Sequence, residues 1–351
     1  MESRNRVNSH VVHVGIVAIG RNEGDRLRDC LRTLQQESES VVYVDSGSTD
    51  GSVEFARSIG VEVVELDTTV AFTAARARNT GIERLLQQWD GIRFIQVLDG
   101  DCTIVSGWIE SAQRFLTEHQ RVGVVCGRRR ERYPEQSVYN RLIDLEWDTP
   151  IGRAKSCGGD AMFRVDAIQS VGGYRDSLIA GEEPELCVRL RAAGWEVHRL
   201  DAEMTLHDAA ITRFSQFWKR AKRAGHAYAE GAALHGRGPD RHGVRAVRSA
   251  LVWGLLIPVL ALLMVWPTWG LSLLAFAGLL TIQIWRIRRN EIARGRSPDD
   301  AVLLAVTVMV AKPAQALGVL RYWRRRLLGQ RPSLIEYKQS SVPSAGDAPY
   351  V

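Results

Sequence analysis

From Leu251 to Trp285 the chain runs for 35 residues without a charged side chain. A helix needs roughly 20 residues to cross the hydrocarbon core of a bilayer, so this run has the length for two short crossings. Pro267-Thr268-Trp269-Gly270 interrupts it and predicts a hairpin of two transmembrane helices over residues 249–286. Trp266, Trp269 and Trp285 suit the two interfaces. Basic residues flank the run on both sides, between Arg241 and Arg248 and at Arg286-Ile287-Arg288-Arg289, which places both flanks on the cytoplasmic face and the hairpin tip outside. After a basic loop over 287–300, a third apolar segment fills 301–328 and contains Lys312-Pro313. Arg294, Arg296 and Arg324-Arg325-Arg326 make both of its ends basic. That favours a re-entrant or interfacial helix, with a full span as the alternative.

Upstream of residue 245 the pattern changes to short periodic segments. The net charge of +6 in 351 residues would suit nucleic acid, but the arginines gather beside the apolar segments, where they mark a membrane face instead. No nucleic-acid partner is expected. The five cysteines (Cys30, Cys102, Cys126, Cys157, Cys187) are scattered and form no C-x-x-C pair, so neither a zinc site nor a disulfide framework is indicated. Residues 1–10 are polar and carry no apolar core segment, so they read as a tail and not as a signal peptide. Residues 329–351 read as a second tail.

Strand and helix patterns alternate over the first 125 residues. Val11–Ile19 predicts a strand, with Asn22 as the cap of a helix that buries Leu27, Cys30, Leu31 and Leu34. Val41–Val44 is a second buried strand, ending at Asp45, and Ser46-Gly47-Ser48-Thr49-Asp50-Gly51 supplies turn residues. Val61–Leu66 is a third strand, 74–86 a helix carrying Arg78 and Asn79, and 94–98 a fourth strand. This order predicts an α/β fold with a mostly parallel central sheet. Ligands in such folds bind at the carboxyl ends of the strands. There the chain places Ile19, Arg21 and Glu23, then Asp45 and Asp50, then Asp99-Gly100-Asp101. Two carboxylates one residue apart repel each other, and a hard divalent cation relieves the repulsion. The same tripeptide also makes a solvated turn. Neither a G-x-G-x-x-G nor a G-x-x-x-x-G-K-[ST] fingerprint follows the first strand, which argues against dehydrogenases and P-loop NTPases.

Further on, Gly158-Gly159-Asp160-Ala161-Met162-Phe163-Arg164 precedes Gly181-Glu182-Glu183-Pro184-Glu185-Leu186. Pro184 suits a first helical turn, so Glu182 and Glu183 stand at the mouth of a helix, where the dipole also favours acids for purely structural reasons. Val197–Leu200 is a further short strand, followed by His207. Residues 213–248 mix aromatic and basic side chains, as an interfacial helix would, or a helix packed on the preceding domain.

Taken in order, Val44-Asp45-Ser46-Gly47-Ser48-Thr49-Asp50-Gly51-Ser52, Ala77-Arg78-Asn79-Thr80-Gly81, Leu98-Asp99-Gly100-Asp101 and the two motifs just quoted resemble the inverting glycosyltransferases of family 2, which have the GT-A fold. The resemblance covers roughly 12–230 and implies a catalytic domain over 11–212. It implies that Asp45 binds the base of a nucleotide-sugar, that Ile19, Arg21, Glu23 and Asp50 border the nucleoside, and that Arg78 meets its phosphates. Asp99 and Gly100 would lie by the ribose and sugar, and Asp160 near the donor sugar or acceptor. Asp101, with Asp99 and His207, would hold Mn²⁺ or Mg²⁺. Glu183 stands where the family places its general base, although the family writes Glu-Asp where this chain has Glu182-Glu183, which leaves Glu182 as the alternative. Gln216-Phe217-Trp218-Lys219-Arg220 departs from the Gln-x-x-Arg-Trp of processive synthases.

The reading is a metal-dependent inverting transferase on the bacterial inner membrane with a cytoplasmic catalytic domain. It implies a nucleotide-sugar donor, a UDP-sugar before others, and a lipid-linked or saccharide acceptor in surface-glycan or exopolysaccharide synthesis. An inactive nucleotide-sugar-binding scaffold is the rival.

Overall fold

The parallel core begins with β1 (His13–Gly20), β2 (Val41–Asp45), β3 (Glu62–Glu65) and β4 (Ile92–Asp99), in the order β3-β2-β1-β4. In this computed structural model residues 13–70 and 72–330 are described, so the N-terminal tail, Val11, Val12 and all but the first two residues of the C-terminal tail lie outside the described residues. Strand β2 is buried on both faces, as expected for a strand covered by helices above and below. The register opposes Gly20 to Asp45 and Ile19 to Asp99, so three strand ends finish level with one another. That alignment is what makes the ligand crevice.

Helices α1 (Asp25–Glu37), α2 (Ser52–Ser58) and α3 (Ala74–Gln88) link these strands. Leu27, Cys30, Leu31 and Leu34 form the buried stripe of α1. Its N-terminus is not capped by Asn22. The cap position is Gly24, and the Asn22 side chain instead accepts from the Thr49 amide at 2.8 Å. The expected cap therefore ties two loops together, because Asn22 adopts the left-handed φ of 55° and turns away from the helix. Helix α3 lies so close to the sheet that a Cβ on Gly81 would come within 2.4 Å of Val17 Cγ1.

The parallel expectation holds for β1 to β4 and then gives way. The sheet continues through β8 (Ala161–Arg164), β6 (Val122–Glu131), β9 (Glu196–His207) and β5 (Cys102–Ile104), with β7 (Gly152–Ala154) beside β9. Among the described residues the pairings divide evenly, four parallel and four antiparallel. Strands β5, β7 and β8 have three or four residues each and too little alternation to read from sequence. Strand β9 runs for 12 residues, well past Leu200, because Asp201 and Glu203 point outward while Met204, Thr205 and His207 are buried. Helices α4 (Trp108–Glu118), α5 (Val138–Glu146), α6 (Val165–Ser170) and α7 (Glu182–Ala192) complete this part.

The C-terminal third is helical: α8 (Phe214–His235), α9 (Val244–Leu251), a π-helical segment at Val252–Leu256, α10 (Ile257–Leu263), α11 (Leu271–Ala293) and α12 (Pro298–Leu327). Three helical runs, Val244–Leu263, Leu271–Ala293 and Pro298–Leu327, are long and apolar enough to cross a membrane. Helix α12 continues unbroken through Pro313 for 30 residues and lies along α8. At their crossing the backbones nearly touch: a Cβ on Gly225 would sit 2.0 Å from the Gln315 carbonyl oxygen, and one on Gly318 2.1 Å from that of Lys222. Leu142, Ile143, Ile211, Phe217, Ala221, Leu304 and Ala314 form one apolar cluster there, which joins α5, α8 and α12. Helix α11, in contrast, buries none of its residues.

Candidate active site

A cavity of about 800 Å³ opens at the carboxyl ends of β1 and β4. Its walls are the β1 end (Ile19, Arg21 and Glu23), Asp99-Gly100-Asp101, Arg78, Glu182 and Glu183, and His207. It continues beneath α8 to Tyr228 and reaches Gln315 of α12. Side chains from five separated stretches of sequence therefore meet in one space.

Gly100 lets the acidic turn fit. Its amide donates to the Ile19 carbonyl at 2.7 Å, and a Cβ there would stand 3.1 Å from that oxygen. Asp99 and Asp101 thus leave the turn on either side of a residue where a side chain would crowd the β1 backbone. Asp101 is buried, and His207, at the end of β9, stands directly opposite Cys102 in the register. His207 Nε2 lies 3.4 Å from Asp101 Oδ2, and its Nδ1 faces Glu131 Oε2 at 3.5 Å without a hydrogen-bond partner. Burial, with the nearby Arg129 charge, lowers the His207 pKa and keeps the ring neutral. Asp101, Cys102 and His207 offer ligand atoms within 4.8 Å of one another. A neutral imidazole with an orphaned nitrogen, backed by a carboxylate and facing another, fits a divalent cation: Asp101 and His207 would hold it and Glu131 would orient the imidazole.

On the opposite wall Arg78 is 2% exposed and engages three carboxylates. Its guanidinium lies 2.8 Å from Asp99 Oδ1, 2.9 Å from Glu182 Oε1 and 2.8 Å from Glu183 Oε1. Arg78 accordingly joins the Asp99 turn to the mouth of α7, where Gly181 adopts a left-handed φ of 79°. Desolvation and then repulsion by Glu182 push the Glu183 carboxyl up to about 7, against the pull of Arg78.

Asp45, Asp50 and Asp160 do not line the cavity. Asp45 accepts from the Tyr43 hydroxyl on Oδ1 and from the Gly47 and Ser48 amides on Oδ2, each at 2.8 Å, so one oxygen is tied to β2 and the other holds the loop that follows it. Asp50 accepts from the Gly24 amide at 2.8 Å and from Ser52, which laces that loop to the β1 end. Burial acts to raise the Asp50 pKa, but these donors outweigh it and hold the carboxyl below its usual value. Asp160, fully buried, accepts from the Asp99 amide at 3.2 Å and the Thr205 hydroxyl at 2.6 Å. It fixes the acidic turn from behind.

Arg129, which lines the cavity, and Glu131, which backs His207, escaped the sequence reading. Arg129, on β6, reaches Asp99 at 3.4 Å, Asp101 at 3.9 Å and Asp160 at 3.5 Å, and stacks on the Trp147 ring at 4.6 Å. The signal was present in the alternation of Arg128-Arg129-Arg130-Glu131. Side chains two apart share a strand face, so Arg129 and Glu131 point to the site while Arg128 and Arg130 pair with Asp144 behind it.

Residues 16–169 match the sequence profile described as Glycosyl transferase family 2. The stretch belongs to that glycosyltransferase family. Two named relatives extend the likeness over most of the chain. The chain is 25% identical over 253 residues to Glycosyltransferase AglE of Haloferax volcanii, covering 68% of this chain and 79% of that one. It is 23% identical over 318 residues to the succinoglycan biosynthesis protein ExoA of Rhizobium meliloti, covering 86% and 89%. The GT-A fold is shared with the mannosyltransferase PcManGT of Pyrobaculum calidifontis, solved with GDP-Man and Mn²⁺, at a TM-score of 0.55 and 17% identity over 88% of this chain and 86% of that one. The glycosyltransferase domain therefore has a mixed α/β sheet of GT-A type, followed by three apolar helices.

Proposed function

We propose that this glycosyltransferase is anchored in the bacterial inner membrane and transfers a sugar, with inversion, from a nucleotide-sugar to a lipid-linked or saccharide acceptor during surface-glycan or exopolysaccharide synthesis. The observation that carries the reading is a single cavity with the Asp99–Asp101 pair and His207 on one wall and Glu183 on the other. The kinship with ExoA, named for succinoglycan biosynthesis, supports the polysaccharide context.

In this reading Ile19, Arg21, Glu23, Asp99 and Gly100 border the donor nucleoside and sugar. Asp45, Asp50 and Asp160 act one layer back, by holding the loops and the acidic turn in place. Mn²⁺ or Mg²⁺ on Asp101 and His207, with Asp99 alongside, would supply Lewis-acid charge for the departing diphosphate. Glu183 takes the proton from the acceptor hydroxyl, whose oxygen attacks the anomeric carbon from the face opposite the leaving group. A carboxyl with a pKa of about 7 suits that task at cellular pH. Arg78 keeps the base and the donor site in register through its shared ion pairs.

The apolar helices motivate the membrane and the acceptor. The runs Val244–Leu263 and Leu271–Ala293 form the hairpin, with Trp266 and Trp269 exposed at its tip. Arg245, Arg248, Arg286, Arg288 and Arg289 keep its open end on the cytoplasmic side. Helix α12 packs its small residues along α8 and is docked to the domain through Arg141–Asp300, which suits an interfacial or re-entrant position better than free passage through lipid. The cavity reaches that helix pair, so an acceptor with a lipid tail would meet the base without leaving the bilayer.

A thermal-shift screen of nucleotide-sugars with Mn²⁺ or Mg²⁺, UDP-sugars first, tests the reading. Metal-dependent stabilisation by one donor, lost in Asp101→Ala, is the expected result. No stabilisation by any nucleotide-sugar in a folded protein would leave the scaffold and transferase readings equally unsupported.

A further inference from the structure

Three carboxylates of the site share a guanidinium that the family motifs do not include. Arg129 lies within 3.4 Å of Asp99, 3.9 Å of Asp101 and 3.5 Å of Asp160, and Asp160 is fully buried. A buried carboxylate with no positive partner is strongly unfavourable, and the buried Asp101 and Asp160, with the partly exposed Asp99 beside them, repel one another. Arg129 is held in place by two independent features. Its backbone belongs to β6, where the strand alternation aims it at the site together with Glu131. Its guanidinium lies over the Trp147 ring, 4.6 Å from the centroid, and that ring also meets His207 edge-on at 4.8 Å. Asp101 therefore faces His207 on one side and Arg129 on the other.

We propose that Arg129 is a built-in counter-cation of the acidic cluster, a positioning residue that shares Asp99 and Asp101 with the divalent ion and thereby sets how weakly that ion is held. The inference rests on the metal-dependent reading above. Its physical content is a sign. A residue that merely braced the carboxylates would, when removed, loosen the cluster and weaken cation binding. A residue that competes with the cation would, when removed, strengthen it. Taking one unit of positive charge away from beside a divalent ion in a partly solvated cleft corresponds to about tenfold tighter binding.

The test is Mn²⁺ binding to the full chain in detergent, read from the electron paramagnetic resonance signal of the free ion with no donor present. Arg129→Gln is expected to lower the Mn²⁺ dissociation constant about tenfold, and Arg129→Lys, which keeps the charge on a shorter and unforked side chain, about two- to threefold. If Arg129→Gln fails to fold, the Lys variant carries the test by the same sign. Asp101→Asn should abolish binding in every background. An unchanged or weaker Mn²⁺ affinity in the Arg129 variants, with binding still dependent on Asp101, overturns the proposal and leaves the metal reading intact. If neither the natural chain nor Arg129→Gln binds Mn²⁺ while nucleotide-sugar binding persists, the metal reading falls and the proposal falls with it.

Discussion

Glu183, the proposed base, and Glu182 are adjacent in sequence and share Arg78. Glu182 repels charge on Glu183 and helps to raise its pKa to about 7. The reactive form is the carboxylate, which lies above that value. Transfer by the natural chain should therefore rise with pH and level off near 8, falling about tenfold per unit below 6 in kcat/KM. Glu182→Gln removes the repulsion, so its acid limb should move to lower pH with activity at pH 8 retained. Glu183→Gln should lose about 10²- to 10⁴-fold in kcat while still binding the nucleotide-sugar. A dead Glu182→Gln at all pH values beside an active Glu183→Gln would exchange the two roles. The sequence resemblance makes Arg78 a candidate partner for phosphates, but its three carboxylate partners are contributed by residues 21 and about a hundred positions away. Those contacts predict that Arg78→Met costs about 3–5 kcal/mol of stability, because it strands buried acids, as a denaturant titration would measure.

At the scale of elements, the crossing of α8 and α12 is the most demanding contact in the chain. Gly225 and Gly318 face backbone atoms of the opposing helix at distances that exclude any side chain. Replacing Gly225 with Val must push the helices apart and open the cluster around Phe217 and Ala314, at a cost of about 1–3 kcal/mol. The expected observation is a lower Tm, together with a raised KM for acceptor and an unchanged Kd for the nucleotide-sugar, because only the far end of the cavity belongs to these helices. A weakened donor Kd with an unaltered acceptor KM would contradict that division. The apolar runs made the helices legible, and their partners were not. Gly and Ala positions in a long apolar segment look alike whether they meet lipid or another backbone.

For the molecule as a whole, the consequential question is which way the helices face. All five native cysteines are buried, so a cysteine introduced at an exposed position reports its own surroundings. Trp269→Cys, at the exposed hairpin tip, should react with a membrane-impermeant maleimide on intact cells. Arg289→Cys should react only after permeabilisation. The opposite pattern would place the catalytic domain outside the cytoplasm. Because α12 is docked to both α5 and α8, removing the hairpin alone should leave the catalytic domain more intact than removing all three helices.

The break near residue 245, the parallel start of the sheet and the acidic strand end at Asp99-Gly100-Asp101 can all be read from the order of residues alone. Each of these is written in local order: a charge-free run, a period of alternation, a turn with two acids. What surrounds that turn is set by folding. It drew β9 out to His207, turned Arg129 inward through strand alternation, and moved Asp45, Asp50 and Asp160 from the cavity wall to the layer behind it. For His207, Arg129 and Asp160 these outcomes depend on partners far away in sequence, where ion pairing and close packing act on proximity in space and leave no local pattern to read.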